Sequence, residues 1–194
     1  MCGSGYIRHL DYPRPAPEVF VPRLRQYEVG TRWPDDWLPE FLFYDYKSNK
    51  PMKLPDVFQV TNRLVVVSER LAAVLSEFDL GQTRLHRMEL RYFDEETPDG
   101  RFFHLLNIGE QKHCFVPEAT KTEINQFESG TYWISAGVAE MRPAVLATAA
   151  EGVDLWMDPR LKRVPFFSDR LARAIKAGKF GRTGLRECEI VQPH

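Results

Sequence analysis

A few residue groups in this chain have side chains that could carry out a reaction. Cys2-Gly3 is the first, because removal of Met1 would expose a thiol nucleophile whose own amine can serve as base. Such chemistry needs partner motifs, and the proline-rich residues that follow supply none; a small flexible terminus is the plainer reading. His113-Cys114 pairs two metal-binding side chains, but a zinc site needs three or four ligands at short spacings. The nearest further candidate, His104, is nine residues away and sits in a strand pattern suited to a core or sheet edge. The loop Gly178–Gly184 is rich in glycine, and with Lys176, Lys179, Arg182 and Arg186 it has the charge to hold an anion. It is no phosphate-binding loop, since no Gly-Lys-Ser/Thr opens a helix after it. Glu95-Glu96 falls in a polar turn, a poor setting for general acid and base. Gly-x-Ser-x-Gly and His-Glu-x-x-His do not occur. The expectation is a protein with no catalytic residues, no metal and no cofactor, with Cys2 as the remaining route to an enzyme.

The composition sets wider bounds. The 194 residues suffice for one large domain or two small interlocked ones, and 43% hydrophobic with 12% aromatic residues is enough for a proper core. No apolar run reaches the roughly 18 residues of a membrane span. The N-terminus lacks the basic-then-apolar pattern of a signal peptide. Cys2, Cys114 and Cys188 are an odd, scattered set that suits a reducing compartment. A cytoplasmic protein that binds neither membrane nor nucleic acid is expected. The net charge of −1 hides an asymmetry: residues 94–154 carry a net −7, residues 160–190 a net +6. Such a division can steer a charged partner, or it can mean two solvated faces.

The elements that must position these residues follow a repeated order. Leu64–Val67 is a β-branched run that reads as a buried strand. Ser68 then caps a helix, Glu69 favours its positive end, and Leu71, Val74, Leu75 and Phe78 form one apolar face. Gly81 stands where the helix would stop and Leu85–Leu90 returns to strand. One hundred residues later come strand Val164–Phe167, cap Ser168, Asp169, a helix on Leu171, Ala174 and Ile175, stop Gly181 and strand Leu185–Ile190. Between 63–90 and 163–190, nine of twenty-eight positions are identical. Both closing strands share a break in alternation, with Leu85 and Met88 out of phase, which suggests a bulge or a strand that starts after the leucine. We read this as a duplication. Six of the fourteen prolines lie within the first forty residues, which predicts an extended arm without helix, ending at Trp33 and Trp37. Those two tryptophans either anchor the arm or form a patch for a partner. Further expectations are strands at Phe41–Tyr46, Phe102–Asn107, Thr131–Ser135 and Val153–Met157. A turn is expected at Pro98-Asp99-Gly100, and a helix over Val138–Ala150 interrupted near Pro143. The fold class is α+β, two related strand–helix–strand units on a mixed or antiparallel sheet. Residues 1–53 form the arm and first strand, and 54–194 an α+β domain.

The stretch from Val153 to Ile190 resembles the C-terminal segment of the immunity protein eleven family. The similarity rests on Phe166-Phe167-Ser168, Asp169-Arg170-Leu171 and Gly181-Arg182-Thr183-Gly184-Leu185. Leu54-Pro55-Asp56, the run Leu64–Leu71 and the aromatic strand Phe102–Asn107 are similar too. Nothing matches the N-terminal arm. The resemblance implies a non-enzymatic protein that binds a cognate bacterial toxin and occludes its active site. An adaptor or scaffold role is the alternative. The exposed acids Asp94, Glu95, Glu96 and Asp99, with Trp33 and Trp37, are the expected contacts, the acids suiting a basic toxin such as a nuclease.

Overall fold

The computed structural model describes residues 5–7, 9–47, 50–135, 141–181 and 183–192. Val65–Ser68 explains the arrangement of the first half. This strand, β5, lies inside a seven-stranded mixed sheet with β1 (Gly5–Tyr6), β2 (Leu10–Asp11), β3 (Phe41–Tyr44), β4 (Val57–Gln59), β6 (Arg84–Arg91) and β7 (Pro98–Asn107), in the order β1-β4-β5-β7-β6-β3-β2. Val66 joins one buried cluster with Phe58, Met88, Leu90 and Leu105, while Val65 and Val67 join another with Leu106. With both faces covered, the strand has no need of alternation, hence its run of valines. The first 53 residues supply three strands of this sheet.

The two-sided burial also explains the break in alternation of β6. Leu85 packs against the second cluster, whereas Met88 and Leu90 belong to the first. The strand includes Leu85, and its register shift falls later, between Glu89 and Arg91. The irregularity near Leu85 therefore comes from which face is buried.

Ser68 and Ser168 cap helices α2 (Glu69–Leu75) and α3 (Asp169–Ala177), each accepting from the amide three residues on, at 3.3 and 3.2 Å. The helix stops differ from expectation. Helix α2 ends at Ser76 and α3 at Gly178. Gly81 serves the following turn, with φ +55° and Glu110 so close that a Cβ would meet its carboxylate at 2.3 Å. Gly178 is needed for contact, since a Cβ there would lie 2.2 Å from the Phe180 ring.

The arm is not extended throughout: helix α1 spans Pro17–Tyr27. Pro17 occupies a first-turn position where its missing N–H costs nothing, and Pro22 removes one interior bond. Burial of Phe20 and Tyr27 outweighs that loss; Tyr27 Oη donates to Leu106 O at 3.1 Å and accepts from Val65 N at 3.0 Å. Pro98–Gly100 begins β7, and the turn lies at Tyr92–Thr97 instead. The expected helix over Val138–Ala150 gives way to a strand at Ala144–Leu146 and a 3-10 turn at Ala147–Ala150; residues 136–140 lie outside the described residues.

The second half is built of short pairs. β8 (Ile124–Gln126) and β9 (Tyr132–Ile134) form a hairpin, β10 (Ala144–Leu146) lies parallel to β13 (Glu189–Val191), and β11 (Leu155–Met157) is antiparallel to β12 (Pro165–Phe167). The strand expected from Leu185 is thus confined to its last residues. Helices α2 and α3 share one core, with Leu71, Leu75, Leu171, Ile175 and Phe180 among its members. Arg163, at φ +63°, donates its N–H to Glu28 O at 2.7 Å and its side chain to the Glu28 carboxylate, tying the end of α1 to the second half.

Loss of either cap should weaken the fold by about 1–2 kcal/mol. Each hydroxyl also donates to an aspartate, and Ser168→Ala is expected to cost more than Ser68→Ala because the Asp154 side chain is wholly shielded whereas that of Asp56 is 20% exposed. Urea unfolding of the two variants measures the difference; equal losses would discount that carboxylate.

Candidate functional site

The acidic residues of the middle separate into two groups. Asp94, Glu95 and Glu96 stand exposed at the tip of the β6–β7 hairpin. Asp94 shapes this tip by accepting from Glu96 N at 3.1 Å, Thr97 N at 2.9 Å and Thr97 Oγ1 at 2.6 Å, and the Thr97 bonds hold its carboxyl below the ordinary range. Glu95 takes the left-handed conformation the turn requires, φ +61°. Asp99 does not share this surface. Its side chain is fully shielded, bound by Arg101 and by Tyr44 Oη at 3.0 Å. Arg101 also donates to Met52 O at 2.8 Å, so this ion pair fastens the segment after β3 to the start of β7.

The tryptophans divide as well. Trp33 is 1% exposed and its ring meets Phe20 and Tyr27. Its indole donates to Arg23 O at 2.7 Å, and its main chain exchanges two bonds with the Asn107 side chain. It anchors α1 on the sheet. Trp37 is half-buried under the Arg23 guanidinium, 4.2 Å from its ring centre. Sequence reasoning missed the exposed aromatics. Phe93, 44% exposed, stands beside the acidic tip, and Phe127 and Trp133 are exposed on the β8–β9 hairpin. An aromatic residue in a polar turn was the available signal for Phe93 and Phe127.

The groups weighed for chemistry take structural positions. Cys2 and Arg182 lie outside the described residues. Cys114 is buried, accepts from the Trp156 indole at 3.4 Å, and burial pushes its thiol up, away from the reactive thiolate. His113 is exposed. His104 Nδ1 is buried without a hydrogen-bond partner, and desolvation lowers the ring's pKa. Among the described residues no cluster of three or more His, Cys, Asp or Glu could hold a metal ion. Lys179, next to Gly178, takes φ +50°, and Phe180 turns inward beneath the Arg70 guanidinium, 4.5 Å away.

The described surface thus offers contact features: an acidic tip with an aromatic neighbour, and a second hairpin carrying two exposed rings. No described helix is long and apolar enough to cross a membrane. The model of the immunity protein family Imm11 matches residues 8–189, and the chain belongs to that family. No curated protein matches the sequence. Membership brings toxin immunity as the general role.

Two wholly shielded carboxylates, Asp154 and Asp158, set the acid stability of the fold. Burial pulls Asp154 and Asp158 upward, but their donors outweigh it and hold both below the usual range. For Asp154 these are Arg170, Ser168 and the Asp79 amide, and for Asp158 the Arg160 side chain with the Phe115 and Arg160 amides. A depressed folded pKa contributes stability that is present above the unfolded value of about 3.9 and is lost as pH falls through the folded value. Stability should therefore fall steeply below about pH 4. Asp158→Asn should lower neutral stability by about 2–4 kcal/mol and flatten that acid limb. Urea titrations at several pH values check both, and an unchanged acid slope would remove Asp158 from the account.

Proposed function

We propose that this chain is a non-enzymatic immunity protein that binds one cognate toxin in the cytoplasm of the producing cell and covers its active site. The observation that carries the reading is the family match across residues 8–189. The mechanism is stoichiometric, needing an interface of about 1,600 Å² anchored by a few aromatic or arginine side chains. The tip formed by Asp94, Glu95 and Glu96, with Phe93 beside it, supports a basic partner: three exposed carboxylates supply the field and one ring the apolar anchor. Trp37 adds a half-exposed ring. Asp99 braces the base of this hairpin through Arg101 and Tyr44, whereas Trp33 is held against Asn107 at the far end of the β6–β7 ladder.

Co-expression with the toxic reading frame encoded beside the gene should restore growth and yield a one-to-one complex; failure with every neighbouring frame would overturn the reading. Reversal of Asp94, Glu95 and Glu96 to lysine should slow association about tenfold or more at low salt, with the difference shrinking as salt is added. Stopped-flow association kinetics measure this, and unchanged rates would take the tip out of the interface.

A further inference from the structure

Two arginines in corresponding places of the halves have different surroundings. Arg63 stands two residues before Val65, which faces Gln59 across β4 and β5. Arg163 stands two residues before Pro165, which faces Met157 across β11 and β12. Both take the left-handed conformation, at φ +62° and +63°, where arginine is strained and glycine is not. A side chain kept there against the preference of its backbone points to a use for that side chain. For Arg163 the use is evident. Its guanidinium donates to the Glu28 carboxylate, which is 8% exposed, and its main-chain N–H donates to Glu28 O. Arg63 differs: its N–H closes its own turn on Val60 O at 2.9 Å, and its side chain is exposed. Among the described residues nothing pairs with or hydrogen-bonds the Arg63 guanidinium.

Both arginines line one cleft between the halves. The buried Val65, Ile108, Met157 and Pro165 form its floor, and the more exposed Gln59 and Asn62 stand with the arginines at its rim. At about 20 Å³ it is far below the roughly 300 Å³ of a small-molecule site, so it takes the end of one side chain and no cofactor. The charges decide which side chain. Two guanidiniums share the rim with one carboxylate, that of Glu28, so one positive charge is left unmatched. An apolar floor beside an unpaired guanidinium suits glutamate, whose methylene stem covers the floor while its carboxylate meets the planar fork. Glu28 against Arg163 is a pairing of this kind made within the chain.

We propose that this cleft binds a glutamate of the toxin, whose carboxylate pairs with Arg63 as that of Glu28 pairs with Arg163. The incoming carboxylate balances the rim, two acids against two arginines. This contact lies apart from the acidic tip. Ile108 of the cleft follows the Asn107 end of β7, whereas the tip adjoins Pro98, 10 residues and roughly 33 Å away. Contacts so far apart contribute independently. The tip acts on the rate of encounter through its field, and a guanidinium paired inside the closed interface acts on the rate of release. That the partner is a toxin rests on the immunity reading; the unmatched charge of the cleft does not.

The test measures association and dissociation of the intact chain with the neighbouring toxin. The Arg63 side chain is exposed, so Arg63→Glu should melt as the wild type does. It should speed dissociation by about tenfold or more and change association by less than about threefold. Arg63→Lys keeps the charge without the fork and should recover only part of the affinity. Arg163→Glu is the contrast, since it strands the Glu28 carboxylate and should lower the melting temperature. Wild-type dissociation in Arg63→Glu would overturn the proposal and leave immunity standing. One toxin glutamate changed to arginine should restore the Arg63→Glu complex; failure of every exposed toxin glutamate to do so would also overturn it. If no toxin is neutralised, immunity fails by itself, and the Arg63 side-chain NMR signal is followed with N-acetylglutamate methylamide and with inorganic phosphate. A shift with the first alone keeps the cleft as a glutamate acceptor and removes the toxin as its source, whereas equal shifts, or none, overturn the proposal. A dimer of the free chain that Arg63→Glu dissolves would assign the glutamate to a second copy and overturn it too.

Discussion

Two aspartates hold the halves of this molecule together, and the rest of the fold is arranged around them. Asp56 and Asp154 each end a segment leading into a strand, and each accepts the hydroxyl of the serine that caps the next helix and the guanidinium two residues beyond it. Each also reaches across. The Asp56 carboxylate accepts from Gly181 N at 3.3 Å, and that of Asp154 from Asp79 N at 3.0 Å, so each half binds the loop after the other half's helix. A carboxylate that accepts several charge-assisted and main-chain bonds is costly to replace, because any loss leaves buried donors unmatched. The strand-to-helix corner and the joint between halves are therefore one device.

That joint accounts for the shared core. With α2 and α3 drawn together, Leu71, Leu75, Leu171 and Ile175 pack in one cluster with the helix-facing residues of both sets of strands. The opposite faces have separate partners. The first sheet is covered by α1 and the aromatic residues around Trp33, and the second packs Trp156 and Phe166 against Cys114, Phe115 and Leu161. Strands β4, β5 and β11 are thus buried on both sides, which explains why they read as nearly continuous apolar runs.

The surfaces available to a partner follow from the same construction. The long β6–β7 ladder, with one register shift between Glu89 and Arg91, projects the acidic tip as a hairpin braced at its base by the Asp99–Arg101 pair. Among the described residues no strand lies between β12 and β13, and an apolar groove opens there.

The sequence by itself determined what depends on near neighbours. The caps at Ser68 and Ser168 and the strands around Val65–Ser68, Tyr132–Ile134 and Leu155–Met157 were legible from residue types and spacing, and the membership of an immunity family from the resemblance of its motifs. A cap needs only the three residues that follow it, and a strand pattern only its own alternation. Tertiary structure alone decided the rest. Asp99 looked like a surface acid until Tyr44 and Met52, about fifty residues away, closed around its ion pair. Trp33 became core because Asn107 takes both its main-chain groups, and Pro17–Tyr27 became a helix because the sheet offered Phe20 and Tyr27 a place to bury. The apolar groove between β12 and β13 is likewise invisible in one dimension, because Phe167 and Ile190, far apart in the chain, become its two walls only once the strands and helix α3 have packed.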